Sequence, residues 1–227
     1  MAQNGWEPPA SDNATTPQEV TELVDTVNRH PRALVLLARE VAAGVRATTE
    51  NVSRLMAKLE AQNPKDPENS LYASVALSLN RLPPDVREPV NRLAVFHGGG
   101  FLVNMAMVMG VDIDQVQAIA ESLIGVGLAE LQAHGYLRLD PALPAFLRLG
   151  QAPERLAELE AVWADAMIQL VDLLYDQLFK DATIAFGLTL LELPNLLALL
   201  DRLAQGVEAD SASAETVSYT HLRAHET

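Results

Sequence analysis

The chain has 227 residues, 49% hydrophobic and 20% charged, a formal net charge of −14 and no cysteine. This is the composition of a globular protein and excludes an intrinsically disordered one. The charge disfavours nucleic acid and anionic membrane as partners, and the lack of cysteine excludes disulfides and thiolate metal sites.

Residues 1–19, rich in Pro, Asn, Ser and Thr, read as a flexible leader with neither the basic start nor the apolar core of a signal peptide. The expected location is cytoplasmic. From 20 to 80 the pattern is helical. Leu23, Val24 and Val27 recur at helical spacing, Pro31 suits the first turn of a new helix, and the run Ala33 to Ala38 is apolar nearly all round, which predicts a buried helix. Val52, Leu55, Met56 and Leu59 line a further helix, and Leu71, Val75 and Leu79 another, before the double proline Pro83-Pro84.

Residues 81–150 predict three helices and a short extended segment, the one-dimensional outline of a winged helix. Val86, Val90, Leu93 and Ala94 give the first face and Phe101 to Met109 the second helix. The third is capped by Asp114, directs Val116, Ile119, Leu123, Val126 and Leu131 inward, and ends at His134-Gly135. Tyr136 to Leu139 is the best strand candidate. Leu93 to Val111 carries no charge and approaches the length of a membrane span, but Gly98-Gly99-Gly100 interrupts it, so two buried helices joined by a tight turn are expected.

Residues 153–206 predict an antiparallel helical pair of the kind that builds repeat solenoids. Leu156, Leu159, Trp163, Met167, Leu170 and Leu174 mark the first helix; the second runs from about Ile184 to Gln205 with a break at Leu193-Pro194. One such pair leaves apolar surface for further repeats or a partner. Residues 207–227 read as a disordered tail, and VSYTHLRAHET resembles translated vector read-through.

Four stretches resemble one family in order and spacing. RHPRALVLLARE (29–40) is similar to the Gly-x-Pro-Leu-Ala-Leu motif of STAND signalling ATPases of the NB-ARC type. SLNRLPPDVREPVNRLAVFHGGGF (78–101) and GYLRLDPALPAFLR (135–148) resemble the start and end of that family's winged helix. ELPNLLALLDRL (192–203) resembles the first tetratricopeptide-like repeat found in many bacterial members. The resemblance implies a mainly α fold: a helical lid over 20–80, a winged helix over 81–150, then an antiparallel helical-repeat pair. In such proteins the core binds ADP in a closed state, and exchange for ATP opens the molecule and lets it oligomerise. By resemblance Pro31 lies near the adenine, and Asp140 stands where many members carry a histidine that touches phosphate. Arg29 replaces the motif glycine, and an acid at Asp140 would repel phosphate.

A P-loop needs a lysine after glycine, and Lys58, Lys65 and Lys180 follow Ala57, Pro64 and Phe179. Met107 to Asp112 resembles a Walker B run only superficially and reads as a helix end. The expected function is therefore a regulatory fragment of a STAND-type ATPase: no catalytic residue, no cofactor in this chain (ADP or ATP belonging to the parent), and its own missing nucleotide-binding core or another protein as partner. The alternative is a free-standing helical adaptor that uses 154–205.

Other chemistry is weaker. The segment that would enter a major groove, Asp114 to His134, has no Lys or Arg, so phosphate contacts would be repulsive. His221 and His225 stand four apart without a third metal ligand, and no metal site is expected. Ser70, Ser74 and Ser78 read as a polar helix face. Glu154, Glu158 and Glu160 favour a helix dipole. Trp163, Tyr175, Phe179 and Phe186 read as core.

Overall fold

A computed structural model describes residues 17–42, 49–62, 64 and 66–224; the leader up to residue 16, Lys65 and His225 lie outside it. The protein is mainly helical with one small sheet. Its first unit packs α1 (Pro17–Thr26), α2 (Pro31–Ala42), α3 (Thr49–Gln62) and α4 (Asn69–Asn80). Leu23, Val27, Ala33, Leu37 and Val52 form a small core of their own, because their spacing puts them on facing stripes. α2 is amphipathic and not buried all round: Leu36 and Leu37 point inward, while Val35 is 57% exposed.

α4 lies deepest. Ser70, Ser74 and Ser78 are buried, which corrects the reading of them as a solvated polar face. Small side chains let neighbouring helices approach. The hydroxyls are satisfied locally: Ser74 Oγ donates to the Ser70 carbonyl at 3.1 Å, and Asn28 Nδ2 donates to Ser70 Oγ at 3.2 Å.

The second unit runs α5 (Pro84–Val90), a 3₁₀ turn (Asn91–Val95), β1 (Gly99–Phe101), α6 (Leu102–Met109), α7 (Ile113–Gly125), β2 (Ala129–Leu131), β3 (Tyr136–Leu139) and α8 (Ala142–Leu149). The strands are antiparallel in the order β1-β3-β2, with Gly99 and Glu130 both opposite Arg138. Helix, strand, two helices and a two-stranded wing in that order make a winged helix.

Three details differ from the periodicity. The apolar run through Gly98 to Gly100 holds a strand between its helical pieces, since the glycines stop helix but tolerate extended pairing. α7 ends at Gly125, not at His134, because Gly127 takes a φ of 77° just beyond it. Leu131 thus lies on β2 and is 53% exposed. The cap of α7 is Asp112, not Asp114: its side chain accepts from Gln115 N–H at 2.8 Å, and Gln115 Oε1 accepts from Asp112 N–H at 3.1 Å.

The third unit is the antiparallel pair α9 (Pro153–Leu178) and α10 (Ala182–Ala224). α10 has no break at Pro194, which sits inside it, and it continues past Gly206 where a disordered tail is expected. Residues 207–224 contain no proline, and their Ala, Glu and Ser are compatible with helix. Leu159, Trp163, Ala166, Met167 and Leu170 pack with the winged-helix core into one continuous cluster, and Asn104 Nδ2 donates to the Ala166 carbonyl at 3.0 Å.

Between α1 and α2, Asn28 and Arg29 have φ of 51° and 56°. Arg29 therefore holds the left-handed conformation that glycine favours, at the position where the similar motif has glycine. Its ion pair with Asp25 is exposed and contributes little. Arg29→Gly is expected to stabilise the chain by about 1 kcal/mol in urea denaturation, and Arg29→Ala to leave it unchanged. Equal midpoints for Gly and Ala would show that no strain resides there.

Candidate functional site

Two features meet on β3. On one side, α2 and the sheet enclose a cleft of about 1120 Å³ whose lining includes Arg32, Arg39, Gly98, Gly127, Arg138 and Asp140. The three arginines face two carboxylates, Glu130 and Asp140, so the cleft carries a local positive excess in a chain of net charge −14. The Arg39 side chain lies against the turn between α7 and β2, where the nearest atom to a Cβ built on Gly127 is Arg39 Nη1 at 2.5 Å. Arg138 pairs with Glu130 across the β2–β3 ladder.

Pro31 is the exposed first residue of α2. Next to it, Arg32 Nη2 reaches Asp140 Oδ2 at 3.3 Å, joining the start of α2 to the end of β3 across 108 residues. Of the two positions singled out by resemblance, Asp140 lines the cleft, and Pro31 does not, although its neighbour Arg32 does. Asp140 is already occupied. Its Oδ1 accepts from Ala142 N–H at 2.9 Å at the start of α8, and its own N–H donates to the Leu128 carbonyl at 2.8 Å. An acid here is an anchor for Arg32 and α8, which gives it a structural task that a phosphate-touching histidine would not perform.

On the other side of the sheet, β1 has an open edge, and unpaired backbone groups at a buried edge are costly. α10 closes it with side chains. Glu192 Oε1 accepts from Phe101 N–H at 2.9 Å, Asn195 Oδ1 accepts from His97 N–H at 2.8 Å, and Asn195 Nδ2 donates to the Gly99 carbonyl at 2.7 Å. The pair is tied together by Asn195 Nδ2 donating to Glu192 Oε2 at 2.6 Å. Both side chains are 0% exposed. Two residues on one helical turn thereby stand in for a neighbouring strand. Beside them the His97 ring lies tilted against Trp163 with ring centroids 5.6 Å apart.

Burial raises the Glu192 carboxyl above its ordinary range, and the bonds from Phe101 and Asn195 oppose that only in part. The same carboxylate, after burial itself, pushes the Tyr136 hydroxyl up. His97 moves down, through burial first and Arg148 second, with Glu160 opposing.

Glu192 and Asn195 open the quoted segment ELPNLLALLDRL, but the sequence reading gives neither of them a site role. A signal existed: Glu192 is the lone ionisable residue between Ala182 and Leu200, and an acid in so apolar a run needs a partner. Of the aromatic residues expected in the core, Trp163 is buried, whereas Tyr175, Phe179 and Phe186 are 63%, 74% and 64% exposed. Among the described residues no group of three or more His, Cys, Asp or Glu could hold a metal ion. One stretch there, Ala182–Gly206, is long and apolar enough to cross a membrane. A scan against protein-family models returns no match for this chain, and neither does a search of curated proteins.

Removing Asn195 strands His97 N–H, the Gly99 carbonyl and one Glu192 oxygen, so Asn195→Ala is expected to cost about 3 kcal/mol in denaturant unfolding. Glu192→Gln turns a donor toward the Asn195 donor and is expected to cost about 2 kcal/mol. A loss under half a kilocalorie (about 0.5 kcal/mol) for both would show the edge to be satisfied otherwise.

The pH dependence has a definite sign. Because Glu192 binds its proton more tightly in the folded chain, its contribution is fully present below its ordinary value of 4.5 and is lost as pH rises through the raised one. Measured against Glu192→Gln, the wild type should lose relative stability as pH climbs above 4.5. A difference that grows in the other direction would contradict the burial argument.

Proposed function

We propose that this chain is the regulatory part of a STAND-type signal-transduction ATPase, a lid and relay that couples the nucleotide state of a core to a repeat sensor. It has no P-loop of its own, and its partner is that core. The observation that carries the reading is a continuous polar path. It runs from Glu192 and Asn195 on the repeat hairpin to β1, through the β1–β3 ladder to Asp140, and across the ion pair to Arg32 at the edge of the cleft.

The path gives a physical account of relay. Each step is a directed hydrogen bond or ion pair between elements with few alternative partners. A tilt of α10 therefore moves β1, and β1 moves β3 with it. Asp140 follows β3 directly. Arg32, held by Asp140, then changes its position at the cleft that faces a core. The order of the similar motifs along the chain, and the cleft between their first and third segments, support the same reading. A free-standing adaptor is the second reading, favoured by the exposed Tyr175, Phe179 and Phe186 around the turn of the hairpin.

Hydrogen exchange separates a relay from a local clasp. In Asn195→Ala, faster exchange is expected at β1 and also at Leu139 and Asp140; acceleration confined to residues 97–101 would remove the relay. Calorimetry of the purified chain with ADP or ATP is expected to give no micromolar binding, since no backbone cradle with a following lysine is present. Tight binding or saturable turnover of ATP would overturn the assignment. A same-frame Gly-Lys-Ser/Thr motif upstream in the gene separates the regulatory reading, which requires it, from the adaptor reading, which does not.

A further inference from the structure

α10 has two faces of different character. Glu192, Asn195 and Leu199 turn inward. The outward stripe consists of Phe186, Leu190, Leu193, Leu197 and Leu200, which are 64%, 53%, 41%, 52% and 61% exposed. Their spacing alternates four and three residues and reaches Ala204 in the same rhythm. An alternation of that kind has a period of 3.5, the signature of a seam that receives another helix by knobs-into-holes packing. A face merely resting on a globular core is wider and follows 3.6.

We infer that this stripe is covered by α10 of a second copy of the chain, lying antiparallel across a two-fold axis. The spacing from 186 to 204 is the same read in either direction. A two-fold axis near Asn195 therefore sets Leu193 against the other copy's Leu197 and Leu190 against its Leu200. Phe186, the largest member, falls opposite Ala204, the smallest. Such self-complementarity is what an isologous contact requires.

Charge points the same way. Two chains of net charge −14 repel one another, so copies meet most readily along a surface without charge. From Ala182 to Leu200 the single ionisable side chain is Glu192, which is 0% exposed; in the last turn before Ala204, Asp201 is exposed and Arg202 pairs with Glu160 of α9. The area is that of a small interface. Five large side chains about half exposed offer on the order of 500 Å² of apolar surface, with Leu203 and Ala204 adding to it, against about 800 Å² per partner in a standard interface.

Sedimentation velocity of the full chain at micromolar concentration is the test. Twice the mass of one chain is expected for the wild type, and one chain's mass for the double variant Leu190→Lys, Leu197→Lys, with helical circular dichroism unchanged. Leu173→Lys, at a site 59% exposed on α9, is the control and should remain dimeric. Because the sequence has no cysteine, disulfide trapping reports orientation. A mixture of Leu193→Cys and Leu197→Cys chains should cross-link at least several-fold more than either alone. A monomeric wild type, a dimer indifferent to the two lysines, or preferential Leu193→Cys self-linkage would each overturn the proposal. So would a monomer that co-sediments with neutral phosphatidylcholine vesicles, which would assign the stripe to a bilayer.

Discussion

The edge of β1 has to be satisfied, and a helix satisfies it. Phe101 N–H, His97 N–H and the Gly99 carbonyl lie where a further strand would pair, and Glu192 with Asn195 meets all of them from α10. Burying a carboxylate is costly, and the raised Glu192 proton affinity records that cost. What it secures is a fixed attachment between the winged helix and the hairpin. The glycines of β1 serve the strand's packing within its own unit, against β3 and Phe96. A Cβ at Gly99 would sit 2.4 Å from the Leu137 carbonyl oxygen, and one at Gly100 would sit 2.8 Å from the Phe96 ring. Through the hydrogen bonds to α10, HGGGF and ELPN are two parts of one joint, although they lie some ninety residues apart.

That joint and the arginine-lined cleft share β3. The strand has Gly99 and Gly100 against one edge, Glu130 and Leu131 against the other, and Asp140 immediately after its end. Its neighbours leave it little room to shift alone. The arrangement separates two tasks by sheet geometry: attachment of the hairpin on the β1 side, and a local positive excess near α2 on the β2 side. Asp140 belongs to the second task by holding Arg32.

Helices were legible wherever an apolar stripe had one helical period, as in Leu159, Trp163, Met167 and Leu170 or Val116, Ile119 and Leu123, all of them buried. Tyr136 to Leu139 was legible as a strand because its apolar residues are bracketed by Gly135 and Asp140-Pro141. β1 and β2 were not. Each is three residues long and is defined by its partner, not by its own pattern. Ser70, Ser74 and Ser78 were misplaced because hydroxyl groups suggest solvent, while their small size suits a tight helix contact. Pro194 suggested a break, yet α10 runs through it without one. Of the site itself, Asp140 was reachable through motif order, whereas Pro31 only adjoins the lining residue Arg32. Glu192 and Asn195 depend on a contact that no local pattern encodes.

The two borders of the sheet have unequal fates. With β1 sealed by carboxylate and amide groups, a foreign strand finds no donor or acceptor to dock on there, which protects the protein from growing fibril-like ribbons in that direction. Among the described residues no such pair of side chains caps β2, and its own Leu131 is 53% exposed. Any extension of the sheet by an intruding strand must proceed along β2.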